Sequence, residues 1–90
     1  MKNLTAMRDE IDVIDAQLIA LLGQRFELTE RVGLYKAEHA LPAADQEREQ
    51  SQYHNFEMLA QQQGISKGLV TGIFKSIIDE VVTRHKRLIN

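Results

Sequence analysis

The sequence predicts an all-α fold with three helices per chain, one long, one short and one medium, assembled as an intertwined homodimeric helical bundle. Three observations lead there. Apolar residues recur in alternating steps of three and four, as one face of a 3.6-residue helix requires. Punctuation is scarce, with a single proline, Pro42, and five glycines in 90 residues. The first helical pattern is also too long to be contained in so small a domain, which calls for a second chain.

The first helix is read from Leu4 to about Ala37, through Leu4, Met7, Ile11, Ile14, Leu18 and Leu21, then Leu28, Val32 and Tyr35. About 34 residues at 1.5 Å each make a rod of roughly 50 Å. Gly23 and Gly33 each weaken it by roughly 1 kcal/mol relative to alanine without interrupting the pattern. "EHALPAAD" is the first credible loop. Asp45 is placed to cap a second helix opening "DQERE", since its side-chain oxygen can accept an unpaired N–H of the first turn. That helix runs to "AQQQG", where Gly64 serves as the C′ residue. Ser66 caps the third, whose wide apolar face comprises Leu69, Val70, Ile73, Phe74, Ile77, Ile78, Val81, Val82, Leu88 and Ile89.

Residues 1–90 are taken as a single domain. A compact chain of this length has a radius of gyration of about 12 Å and is roughly 30 Å across, so part of a 50 Å helix must project. The projecting half carries its apolar seam with it, and a second copy pairing long helix on long helix would cover it. The competing arrangement is a kink near Gly23, giving a monomeric four-helix bundle.

Composition narrows the function. An apolar fraction of 43% and a charged fraction of 27% are those of an ordinary soluble protein. The formal net charge is −2 and no basic run is present, so neither nucleic acid nor a membrane is an expected partner. There is no cysteine, which removes disulfide and thiolate chemistry. His39, His54 and His85 lack metal-ligand spacing, so no metal is expected. Ser51, Ser66 and Ser76 lack a nucleophile-elbow context, and no glycine loop cradles phosphate. No cofactor is expected, and any catalysis must proceed by binding and electrostatics. The N-terminal "MKNLTAMRDEID" has no apolar core of a signal peptide, so the expected location is the cytoplasm.

One charge breaks the apolar seam. Position 25 belongs to the series, yet it is arginine. Lys36, eleven residues on, projects about 20° past three full turns and roughly 16 Å further along the same face. Beyond the loop, Asp45, Arg48 and Glu49 occupy the first turn of the second helix, where free N–H groups favour anions. Three cations and two carboxylates thus gather around one loop, a reasonable pocket for a small polyanion. Arg8 lies roughly 25 Å from Arg25 along the helix, beyond the reach of one small-molecule site. If Arg8 serves a pocket, it serves the one across the dimer. Each residue also has a plainer reading: Arg25 paired with Glu57 or Asp79, Lys36, Arg48 and Glu49 as surface charges, and Arg8 on a solvated face with Asp9, Asp12 and Asp15.

Taken together, "LTAMRDEIDVIDAQLIALLGQRFELTERVGLYK" and "LPAADQERE" resemble the all-helical chorismate mutases, in the joint spacing of Arg8, Arg25, Lys36, Asp45, Arg48 and Glu49. The resemblance covers essentially the whole chain. It implies an intertwined dimer with two sites, each drawing one arginine from the partner, and the cofactor-free Claisen rearrangement of chorismate to prephenate, a step towards aromatic amino acids. By similarity, Arg25, Arg48 and the partner's copy of Arg8 would hold the two carboxylates of chorismate. Lys36 would donate to the ether oxygen, Glu49 would accept from the ring hydroxyl, and Asp45 would shape the same end of the pocket.

Two positions depart from that pattern. Where many relatives have a hydroxyl residue facing a carboxylate, this chain has Val81. Where many have a glutamine donating to the ether oxygen, it has His85, which can donate as a neutral N–H or, more strongly, as imidazolium. In the plainer reading His85 extends the stripe of Phe74, Ile78 and Val81. The departures leave room for an isochorismate-pyruvate lyase, for a mutase of an amino-chorismate analogue, and for a non-catalytic dimeric helical interaction module.

Overall fold

A computed structural model of the chain describes residues 3–89; Met1, Lys2 and Asn90 lie outside the described residues, as does the side chain of Ile89 and with it the last position of the apolar face read for the third helix. The described residues form three helices and no strand: α1 (Leu4–Glu38), α2 (Gln46–Gln63) and α3 (Lys67–Ile89). Each begins on a side-chain cap. Asn3 accepts from the Ala6 N–H at 2.8 Å, Asp45 from Arg48 at 3.1 Å and Ser66 from Leu69 at 3.2 Å. These bonds satisfy N–H groups that have no partner within the helix.

Two of the helix ends share one geometry. At the end of α2, Gly64 takes φ 69°, and the N–H groups of Gly64 and Ile65 reach back to Gln61 and Ala60. At the end of α1, Ala40 takes φ 54°, and the N–H groups of Ala40 and Leu41 reach back to Ala37 and Lys36 in the same pattern. Glycine occupies the left-handed position at no steric cost; alanine there is strained.

α1 runs unbroken through Gly23 and Gly33, so the kinked four-helix monomer is not the arrangement the chain adopts. The molecule measures 57 × 23 × 14 Å, with a radius of gyration of 16.6 Å, against about 12 Å for a compact chain of this size. α3 is the element against which α1 and α2 both pack. Phe56 of α2 stacks on Phe74 of α3 with ring centroids 3.9 Å apart, and Tyr53 meets Phe56 edge-on. Among the described residues, Phe56, Ala60 and Ile78 are the buried apolar side chains, a small core. The seam residues Leu4, Met7, Ile11, Ile14, Leu18 and Leu21 of α1 are all exposed, as are Leu69 and Ile73 on α3. Among the described residues, no helix is long and apolar enough to cross a membrane.

Candidate active site

The C-terminal half of α1, the loop after it, the start of α2 and the C-terminal half of α3 line an open cavity of about 270 Å³. Its charged lining comes from Arg25 and Lys36 of α1, from Asp45, and from Arg48 and Glu49 of α2. α3 contributes Ile78, Val81, Val82 and His85, the first three forming an apolar wall. The five charges that cluster around the loop in the sequence therefore share one concavity with Val81 and His85. Arg8 does not join them. It lies exposed on the projecting half of α1.

Local structure fixes several of these groups. Asp45 caps α2, and this sets the first turn from which Arg48 and Glu49 project. Lys36 Nζ donates to the Ala43 carbonyl at 3.0 Å, while its own carbonyl accepts from Leu41 at 2.8 Å, so one residue ties the end of α1 to the loop twice.

Arg25 is half-buried, and among the described residues its Nη1 has no hydrogen-bond partner. Its guanidinium lies 5.7 Å from the centroid of the Phe74 ring. Among the described residues it forms no ion pair with Glu57 or Asp79; Asp79 pairs instead with Lys75 at 2.8 Å. Burial first, and Arg48 second, lower the pKa of Arg25 from the ordinary guanidinium value. A desolvated cation facing a second cation raises the free energy of the empty site, and a bound anion relieves both terms.

His85 is the one buried polar side chain among the described residues, at 2% exposure. Its Nε2 lies 2.7 Å from the Thr29 carbonyl oxygen. A carbonyl only accepts, so Nε2 carries the hydrogen of that bond. The ring fits against α1 at Gly33, where an added Cβ would meet His85 Cδ2 at 2.6 Å and Nε2 and Leu88 Cδ1 at 2.9 Å. Gly33 is therefore an opening for the imidazole rather than only a weak point in the helix.

The sequence reading did not single out Thr29 or Gln52, both of which line the cavity. Gln52 follows Arg48 by four residues and Glu49 by three, spacings that put it on their face and mark it in the sequence. Thr29 acts through its backbone carbonyl, which no residue type announces.

Residues 7–86 match the family model described as chorismate mutase type II. The chain is 35% identical over 80 residues to the T-protein of Enterobacter agglomerans, covering 89% of this chain and 21% of that protein. The T-protein of Haemophilus influenzae matches with the same identity and coverage. A bifunctional chorismate mutase/prephenate dehydratase of Buchnera aphidicola is 31% identical over 90 residues, covering 99% of this chain and 24% of that protein. The chain thus spans under a quarter of the length of these curated relatives.

Proposed function

Because this chain belongs to the chorismate mutase type II family, we propose that it converts chorismate to prephenate, as a single mutase unit over residues 1–90 that works as a homodimer. In this rearrangement the ether C–O bond breaks as a C–C bond forms, and no atom is gained or lost. The protein's task is to hold the substrate folded, with both reacting ends in contact, and to stabilise charge that grows on the ether oxygen.

The observation that carries the reading is Arg25, a half-buried guanidinium beside a second arginine, its Nη1 without a hydrogen-bond partner among the described residues. Its planar fork suits a carboxylate and does not lose its proton. In the proposed complex Arg25 and Arg48 meet one end of the dianion, and Arg8 arrives from the second copy to complete the binding of the carboxylates. Lys36 releases Ala43 to donate to the ether oxygen. Glu49 accepts from the ring hydroxyl, with Asp45 shaping that end, and His85 and Val81 close the cavity from α3.

The exposed seam from Leu4 to Leu21 supports the dimer. A long exposed apolar stripe, with Leu18 and Leu21 at its inner end bordering Val70 and Ile73 of α3, matches a second copy of itself about a two-fold axis. The relatives' names favour the mutase over the lyase and over a non-catalytic module; the dehydratase activity in those names is not assigned to this chain.

The test is to incubate the protein separately with chorismate and with isochorismate, follow loss of the cyclohexadiene absorbance and identify products by NMR. Prephenate from chorismate, absent with Arg25→Ala, is the expected result. Pyruvate and salicylate from isochorismate with little prephenate would move the assignment to the lyase, and no turnover of either would overturn catalysis.

A further inference from the structure

We infer that Gln52 is a further substrate-binding residue, whose carboxamide N–H donates to a substrate carboxylate at the end of the dianion that Arg25 and Arg48 meet. The inference rests on the mutase reading above and deepens it, because it assigns a group in the same cavity that the reading leaves unused. α2 packs on α3, and its inner face includes a row of side chains four residues apart. Phe56 and Ala60 are buried in that row, and Gln52 and Arg48 continue it towards the start of the helix. Gln52 is half-buried and lines the cavity. The row calls for an apolar residue at this point, as the seam of α1 does at Arg25, and a carboxamide stands there instead.

The other polar groups of the cavity are committed where Gln52 is not. The Thr29 hydroxyl donates to the Phe26 carbonyl at 3.1 Å, His85 Nε2 to the Thr29 carbonyl at 2.7 Å and Lys36 Nζ to the Ala43 carbonyl at 3.0 Å. Among the described residues, Gln52 is the one uncharged polar side chain of the lining without a hydrogen bond. Withdrawing an amide from water without a partner is unfavourable, and nothing on its own chain offsets that. A ligand with an acceptor would. No bond holds the amide in one orientation, so its NH2 end can turn to meet one.

Charge accounts for the residue type. Burial, and then Arg48, already lower the pKa of Arg25, so a further cation one turn along α2 would add repulsion to the empty site. A carboxylate there would repel a dianion. A carboxamide adds a donor and no charge. Across the cavity, the Ile78, Val81 and Val82 side chains of α3 offer no hydrogen bond. The substrate's hydroxyl is assigned to Glu49, which leaves its carboxylate oxygens as the acceptors for Gln52.

The experiment measures steady-state prephenate formation and urea unfolding for the wild type, Gln52→Leu and Gln52→Glu. Leucine keeps the bulk and loses the donor. KM for chorismate is expected to rise roughly 5- to 30-fold with kcat within about threefold of wild type, the pattern of a contact made equally in the ground and transition states. The urea midpoint of Gln52→Leu is expected to stay at or above that of the wild type, because an unpaired amide leaves an apolar row. Glutamate keeps the shape and replaces the donor by a negative charge, so kcat/KM is expected to fall by about 100-fold or more. In the wild type itself, the side-chain amide of Gln52, assigned by its absence from the 15N spectrum of Gln52→Leu, is expected to move its N–H signal downfield on saturation with prephenate, which carries the same two carboxylates. A Gln52→Leu KM within about twofold of wild type, a raised KM accompanied by a lowered midpoint, or an amide signal unmoved by prephenate would each overturn the inference while prephenate formation by the wild type stands. No prephenate from the wild type would overturn the mutase reading and this inference with it.

Discussion

Gly33→Ala puts the packing of α3 on α1 to a direct test, because two effects of opposite sign meet at one position. Alanine in a helix interior is favoured over glycine by roughly 1 kcal/mol. At Gly33 the new methyl would stand 2.6 Å from His85 Cδ2 and 2.9 Å from both His85 Nε2 and Leu88 Cδ1, whereas carbon atoms rest about 3.5–4.0 Å apart. Relief requires the imidazole to retreat by about 1 Å, which stretches its 2.7 Å bond to Thr29 beyond hydrogen-bonding range. An unsatisfied buried donor costs about 1–3 kcal/mol and overpacking about as much again. The expected net effect is a loss of about 2–4 kcal/mol.

Gly23 is the control. Nothing lies within 4 Å of a Cβ built there, so Gly23→Ala is expected to stabilise by about 0.5–1 kcal/mol. Urea unfolding followed by circular dichroism, at one fixed protein concentration because the midpoint of the proposed dimer would depend on it, reads both. A Gly33→Ala midpoint at or above that of the wild type would refute the assignment of Gly33 as the seat of His85.

Ala40 sits at φ 54°, so Ala40→Gly is expected to raise stability by about 0.5–1 kcal/mol in the same urea assay. Val81→Ser would place a hydroxyl on the apolar wall of the cavity; steady-state kinetics are expected to show KM for chorismate lowered about three- to tenfold, the worth of one modest hydrogen bond to a carboxylate. Lys36→Met is expected to lower kcat by about 100-fold or more with a smaller change in KM, since in the proposed complex the lost cation acts where charge develops in the transition state.

The helices were legible because their signals are local. A seam in steps of three and four needs no knowledge of the partner surface, and Asp45, Ser66 and Gly64 mark their ends by residue type. The end of α1 was less so: the left-handed residue is Ala40, which carries no turn signal, and the helix runs one residue past the expected Ala37. The cluster of Arg25, Lys36, Asp45, Arg48 and Glu49 was legible for the opposite reason, a charge where the pattern demanded an apolar residue. Val81 and His85 look like ordinary members of an apolar stripe and drew notice only through the family resemblance. Gly33 was read as a weakness because its purpose is defined by a ring 52 residues away in the chain, and the Thr29 carbonyl is invisible in any sequence.

In the proposed dimer one site needs Arg25 from one chain and Arg8 from the other. Arg8→Ala and Arg25→Ala are each expected to be inactive alone, by about 100-fold or more. Unfolded together and refolded as a mixture, they should form mixed dimers in which one site keeps both arginines and the other has neither. Random pairing then predicts recovery to about one quarter of wild-type prephenate formation per chain. A mixture no more active than its components would contradict the shared site, and with it the proposal that the second copy covering α1 also completes the catalytic pocket.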